Sequence, residues 1–229
     1  MSPTSKKIVG YWHYGVILTY TSLLSAIIGI IFSAMGKPDI GVICLFISGI
    51  CDAFDGTVAK TRKNRDDGDK SFGAQIDSLS DFVAFGIAPI MVGVGLGLTE
   101  WYYIVIYCIY GLFALIRLAF YNVTEESYIA EGTQRTFYEG LPVTNITYIL
   151  PPVFIVATMF LSPALVDYKV ILNILMGLVY VITAVLFVVR FRCPKWKPLT
   201  IAISIVITVA IMLGLYLVRS YVCDVQMIW

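Results

Sequence analysis

The sequence predicts an all-α, polytopic helical membrane protein, and three observations predict it. Hydrophobic residues fill 59% of the 229 positions, mean hydropathy is +0.86, and only 14% of residues are charged, against about 25% in a soluble domain. Apolar runs of roughly 20 residues, the length a helix needs to cross a bilayer, recur from end to end. The runs are continuous and do not alternate, which argues against a barrel of half-polar strands. A net charge of +1 supplies no field for nucleic acid or for an acidic substrate.

Seven spans are expected in order. The first, Tyr14–Met35, follows Trp12, an aromatic suited to the interface. The second, Ile40–Lys60, holds the run GVICLFISGI, and the polar stretch Thr61–Phe72 separates it from the third, Ala74–Leu98. The fourth, Trp101–Asn122, opens on Trp101, Tyr102 and Tyr103. A second polar stretch, Val123–Pro142, ends in Gly140-Leu141-Pro142, a turn that places proline near the start of the fifth span, Val143–Leu161. The sixth, Lys169–Arg190, leads through Trp196 to the seventh, Pro198–Arg219. No low-complexity tract or strong repeat divides the chain, so a single integral membrane domain, 1–229, is expected. The amino terminus lacks a short apolar region with a small-residue cleavage site, so no removable signal peptide is expected. The five cysteines are scattered singly, and four of them fall in or beside apolar runs, where they read as small buried hydrophobes.

Positive charge sets the orientation. With the amino terminus inside, Lys6, Lys7, Lys60, Arg62, Lys63, Arg65, Lys70, Arg135, Arg190, Arg192, Lys195 and Lys197 are cytoplasmic, twelve of the sixteen Lys and Arg. Lys37, Lys169 and Arg219 fall on the opposite side, and Arg117 lies inside a span. The cytoplasmic membrane of a prokaryote is the expected location.

Against this background stand four aspartates. Asp52 and Asp55 are three apart, and Asp77 and Asp81 are four apart, so each pair shares one face of a helix. A carboxylate at mid-bilayer costs about 2.5–3.5 kcal/mol, and no intramembrane Lys or Arg lies beside these four in sequence. Two divalent cations would neutralise them. Hard cations such as Mg2+ or Mn2+ prefer carboxylate oxygens. Gly56, Ala59 and Gly73 would let helices approach closely or admit a phosphate against bare backbone. Topology places both pairs in the cytoplasmic half of the bilayer.

The pattern D52-x2-D55-G56-x2-A59-K60-x12-G73-x3-D77-x3-D81 resembles the signature of the CDP-alcohol phosphotransferase family, D-x2-D-G-x2-A-R-x8-G-x3-D-x3-D. Seven of the eight fixed positions match. Lys60 stands where the family has Arg, which puts a bidentate phosphate contact in question, and the spacer before Gly73 is twelve residues instead of about eight. The resemblance implies a six-helix catalytic core, about residues 14–192, with the span at 198–219 additional. It implies two divalent metals held by Asp52, Asp55, Asp77 and Asp81, with Asp81 also the general base. It implies that Gly56, Ala59, Lys60 and Gly73 border CDP-lipid.

Further segments bear on the acceptor. FYEGLPVT, DSLSDFVAFGIAP and LIRLAFYNV are similar to stretches of the phosphatidylserine synthase branch, with Ala84 for Ser and Phe120 for a second Arg. Thr19 matches one position of that branch's N-L-x-T-x-x-N element, while Val16 and Ser22 replace both Asn. The resemblance covers about residues 14–155. Arg117, Asn122, Glu139 and Gly140 are the residues expected to bind acceptor or phosphate, Arg117 as a fork of donors for an anion. Its bland reading is snorkelling to the headgroups, and that of the lone His13 is an incidental interfacial residue.

The expected reaction transfers a phosphatidyl group from CDP-diacylglycerol to L-serine, in contact with membrane lipids and without nucleic acid, in a chain whose small residues suit a homodimer. The alternatives are another acceptor (inositol phosphate, glycerol 3-phosphate or choline), a CDP-choline-type donor, a cation transporter lined by acids, or a scaffold.

Overall fold

A turn of 3-10 helix at Tyr14–Val16 opens α1, Ile17–Ala34. The computed structural model describes residues 10–62, 67–130, 132, 137–160 and 168–194, with positions 203, 206, 208–210 and 213–214 near the carboxyl end. The buried positions of α1 are Thr19, Ser22, Ala26, Gly29 and Ser33, three and four apart on one face. All are small, so α1 packs closely along α2, Pro38–Lys60. A Cβ on Gly29 would come within 2.8 Å of Cys44 Cβ. Ser22 Oγ donates to Ser48 O at 3.1 Å, Ser48 Oγ returns a bond to Ser22 O at 2.9 Å, and Ser25 Oγ donates to Cys44 O at 2.9 Å. Small residues that suited a dimer are, on these two helices, used inside the chain. The turn joining them is set by Gly36 at φ +75°, the Lys37 N–H bonded back to Phe32 O, and Pro38 at the first positions of α2.

The third span is helical from Asp67 to Gly95 but not uniform. It comprises α3, Asp67–Asp81, a π-helical segment, Phe82–Ile87, and α4, Ala88–Gly95. The Ala88 N–H reaches back five residues to Val83 O. Pro89 has no N–H, so the Phe85 carbonyl lacks its α-helical donor. The Tyr110 hydroxyl, fully buried, supplies one at 2.8 Å. The Tyr180 hydroxyl donates to Pro89 O at 2.6 Å.

These tyrosines come from α5, Trp101–Ala130, and α7, Tyr168–Val188, which pack on each other, while α6, Ile146–Phe160, packs on α7 and α2. Tyr107 and Tyr110 meet Tyr180 edge-on at 5.2 and 5.6 Å, a favoured aromatic geometry. Phe85, Ile146, Leu150 and Met176 complete this core. A three-residue antiparallel ribbon, β1 (Phe137–Glu139) with β2 (Arg192–Pro194), ties the entry to α6 to the segment after α7.

Leu24, Ile28 and Ile31 of α1, Leu112 and Leu115 of α5, and Ile174 and Leu178 of α7 are all exposed. Such an apolar exterior suits acyl chains. Among the described residues, five helices are long and apolar enough to cross a membrane, and Val143–Ala157 is a shorter apolar helix. The chain is an all-α polytopic membrane protein with five of the expected spans in place, and the expected fifth, Val143–Leu161, is represented by the shorter apolar helix. The seventh, Pro198–Arg219, falls almost wholly outside the described residues. Two boundaries differ from expectation. Asp67–Phe72, expected in a loop, opens α3, and α5 runs on to Ala130 instead of stopping near Asn122. Hydropathy marks where the bilayer ends, and a helix need not end there.

Candidate active site

The first pair of aspartates lies on α2 and the second on α3, and helical periodicity turns both toward one space. One carboxylate oxygen from each of Asp52, Asp55 and Asp77 lies within 4.8 Å of the others. Across the two helices Asp52 neighbours Asp81 and Asp55 neighbours Asp77. Asp52, Asp77 and Asp81 line a cavity of about 190 Å3, shared with Arg117, Tyr121 and Thr144. Asp55 is buried, and Thr19 Oγ1 donates to its Oδ2 at 3.0 Å. Ser80 Oγ donates to Thr19 O at 3.2 Å, so α1, α2 and α3 are joined behind the carboxylates.

Among the described residues no Lys or Arg forms an ion pair with any of the four. An oxygen-only donor set of this charge, half-buried apart from the buried Asp55, fits hard divalent cations and would be costly without them. Gly56 is exposed on the same face of α2 as the acids, and nothing lies within 4 Å of where a Cβ would sit. Ala59 is half-buried against Gly15, and Gly73 is half-buried on α3. The side chain of Lys60 lies outside the described residues.

Arg117 does not snorkel. It is 3% exposed, its Nε donates to Leu141 O at 2.9 Å, and its Nη2 donates to Gly140 O at 3.3 Å. Its guanidinium therefore separates the acid-lined cavity from a second one of about 180 Å3, lined also by Glu139, Phe120 and Arg190. Phe120 occupies the position where the phosphatidylserine synthase branch has its second Arg, and the Arg190 guanidinium lies over its ring at 5.3 Å. A cation thus stands at that place, brought from the end of α7.

The other two expected acceptor residues take different positions. Asn122 Nδ2 donates to Ser78 Oγ at 2.8 Å, bracing α5 against α3 one residue from Asp77. Gly140 has φ +84°, its N–H donates to Phe191 O at 2.7 Å, and a Cβ there would come within 2.8 Å of Val189 O. It is a turn that only glycine fits. Neither residue lines either of these two cavities.

Sequence reasoning passed over Arg190, Tyr121, Thr144, Ser78 and Ser80, and it held His13 incidental. His13 in fact uses both ring nitrogens: Nε2 is 2.7 Å from Asp69 Oδ1, and Nδ1 accepts from the Gly15 N–H at 3.1 Å. Nothing local in the sequence signals a pair 56 residues apart.

The CDP-alcohol phosphatidyltransferase family matches residues 12–185, from the turn before α1 through most of α7. Among curated proteins, the CDP-diacylglycerol–serine O-phosphatidyltransferase of Saccharomyces cerevisiae is 33% identical over 125 residues, covering 52% of this chain and 44% of that protein. The enzyme of the same name from Mycobacterium bovis is 29% identical over 126 residues, 55% of this chain and 43% of its own. That from Mycobacterium leprae is 26% identical over 142 residues, 61% and 46%. The chain therefore matches somewhat less than half the length of these relatives. The matched region contains both aspartate pairs, both cavities' α5 walls and the 3-10 turn, and the chain belongs to the CDP-alcohol phosphatidyltransferase family.

Proposed function

We propose that the protein transfers a phosphatidyl group from CDP-diacylglycerol to L-serine, yielding phosphatidylserine and CMP, with its site at the cytoplasmic face. The observation that carries this reading is the gathering of Asp52, Asp77 and Asp81 around one cavity walled by Arg117, with Asp55 grouped beside Asp52 and Asp77. Asp52, Asp55, Asp77 and Asp81 would hold two divalent cations, Mg2+ or Mn2+. When bound, such cations neutralise a diphosphate and stabilise the attacking and leaving oxygens of an in-line displacement.

Gly56, Ala59, Lys60 and Gly73 take the nucleotide end of the donor, where open space beside Gly56 admits it. Arg117, held at the cavity wall by two backbone carbonyls, brings its positive charge to the diphosphate. Asp81 accepts the proton of the serine hydroxyl as its oxygen attacks the phosphorus bearing diacylglycerol. The bond from that phosphorus to the bridging oxygen breaks, and CMP leaves with the oxygen.

Serine is favoured by the second cavity. Arg190 and Arg117 suit its carboxylate and Glu139 suits its ammonium, whereas an acceptor already carrying phosphate would meet the Glu139 charge. The names of the similar curated proteins point the same way. The test is to incubate the purified protein with CDP-diacylglycerol, Mn2+ and each candidate alcohol in turn, following CMP. CMP release with serine alone supports the reading. Release with another alcohol and none with serine overturns the acceptor and leaves the transferase.

A further inference from the structure

Asp69 lies in the spacer that is twelve residues long where the family pattern has about eight, and among the described residues it is the most buried acid outside the cavity. Its side chain is 2% exposed. His13 Nε2 and Arg62 Nη1 each contact one of its oxygens at 2.7 Å. The Gly15 N–H occupies His13 Nδ1, which assigns the ring proton to Nε2 and makes it the donor to Asp69. Three parts of the chain meet there: the amino-terminal turn, the end of α2 and the first turn of α3. Tyr11 adds to the junction, its ring 5.2 Å from that of Phe72 and its carbonyl bonded by the Tyr20 hydroxyl at 3.1 Å.

The junction sits above the face that bears the motif. Asp69, Gly73, Asp77 and Asp81 recur every fourth residue along α3. Gly15, held by His13, lies against Ala59, so that a Cβ on it would meet Ala59 Cα at 3.5 Å. Gly56, one turn further along α2, faces open space. We propose that Asp69 is a positioning residue for the nucleotide end of the donor: by holding His13 and Arg62 it seats the amino-terminal turn on Ala59 and fixes the width of the open face beside Gly56. The proposal rests on the donor assignment made above. It gives the longer spacer and the single histidine a common purpose.

The experiment uses the full chain in detergent with Mn2+ and measures CMP binding by calorimetry for wild type, Asp69→Asn, His13→Ala and His13→Gln. Manganese binding without nucleotide is followed by electron paramagnetic resonance. Asp69→Asn and His13→Ala should weaken CMP about tenfold, and His13→Gln, which keeps a donor near Nε2, should restore most of it. Manganese affinity and the serine KM should stay at wild-type values while the donor KM rises. If Asp69→Asn fails to fold, the two His13 variants carry the same comparison. Wild-type CMP affinity in the folded variants overturns the proposal, as does a parallel loss of CMP and manganese affinity, which marks general loosening. A wild-type protein that binds manganese but not CMP overturns the donor assignment itself, and this inference with it.

Discussion

Thr19 Oγ1 donates a 3.0 Å hydrogen bond to Asp55 Oδ2 across the α1–α2 interface. The bond can form because every buried residue of α1 is small, which brings a hydroxyl on the first helix within reach of a carboxylate on the second. It occupies one oxygen of Asp55 and turns the remainder of that group toward Asp52 and Asp77. Thr19→Val keeps the shape and removes the donor. It should raise the Mn2+ concentration for half-maximal activity by about tenfold, as loss of an orienting partner does elsewhere, while leaving the maximal rate near wild type. A Mn2+ titration of CMP release measures this.

Asp77→Asn and Asp81→Asn should each abolish CMP release. They should also raise thermal stability in chelator, because each removes a carboxylate from a crowded, unpaired set. The stabilisation that Mn2+ confers on wild type should shrink in both. Thermal denaturation with and without Mn2+, beside a CMP assay, checks all three outcomes.

Arg117 holds two carbonyls with a guanidinium that Lys cannot reproduce. Arg117→Lys should therefore lower kcat/KM by about 100-fold, or about 2.7 kcal/mol of transition-state stabilisation. Arg117→Ala should additionally destabilise the fold by about 1–3 kcal/mol, since the Gly140 and Leu141 carbonyls lose a buried donor. Steady-state kinetics and a denaturation midpoint separate the two effects.

Tyr110→Phe keeps the ring in the core and deletes only the hydroxyl that serves Phe85 O. It should cost about 1–3 kcal/mol, the penalty of a buried carbonyl left without a donor. The same substitution at the exposed Tyr102 should cost nothing measurable. Chemical denaturation of both variants makes the comparison.

The helical spans and the two acid pairs were legible because each depends on one number read along the chain, apolar run length in one case and side-chain spacing in the other. What escaped depends on contacts between distant segments. Hydropathy could not place the start of α3 at Asp67, because the polar turn that precedes the bilayer is helical for a reason outside itself, the hold of His13 and Arg62 on Asp69. The π segment at Phe82–Ile87 has no composition of its own; it becomes intelligible only once Tyr110 is seen to satisfy the carbonyl that Pro89 leaves open. Arg117 was singled out as a binder of anions, and its spacing gave no sign that Gly140, named for the same task, would instead hold it by a carbonyl. Arg190 was read only as a topological charge until it appeared over Phe120.

In the proposed function these four aspartates make a cation-dependent phosphatidyl transfer site that uses serine. Its most direct measurement is the incorporation of radiolabelled L-serine into lipid by purified protein given CDP-diacylglycerol, with Mn2+ or with chelator, for wild type and Asp77→Asn. Labelled phosphatidylserine, one CMP for each, is expected in wild type with Mn2+ and in no other sample. Labelled lipid formed equally by a folded Asp77→Asn variant, or by wild type in chelator, would contradict the proposed function.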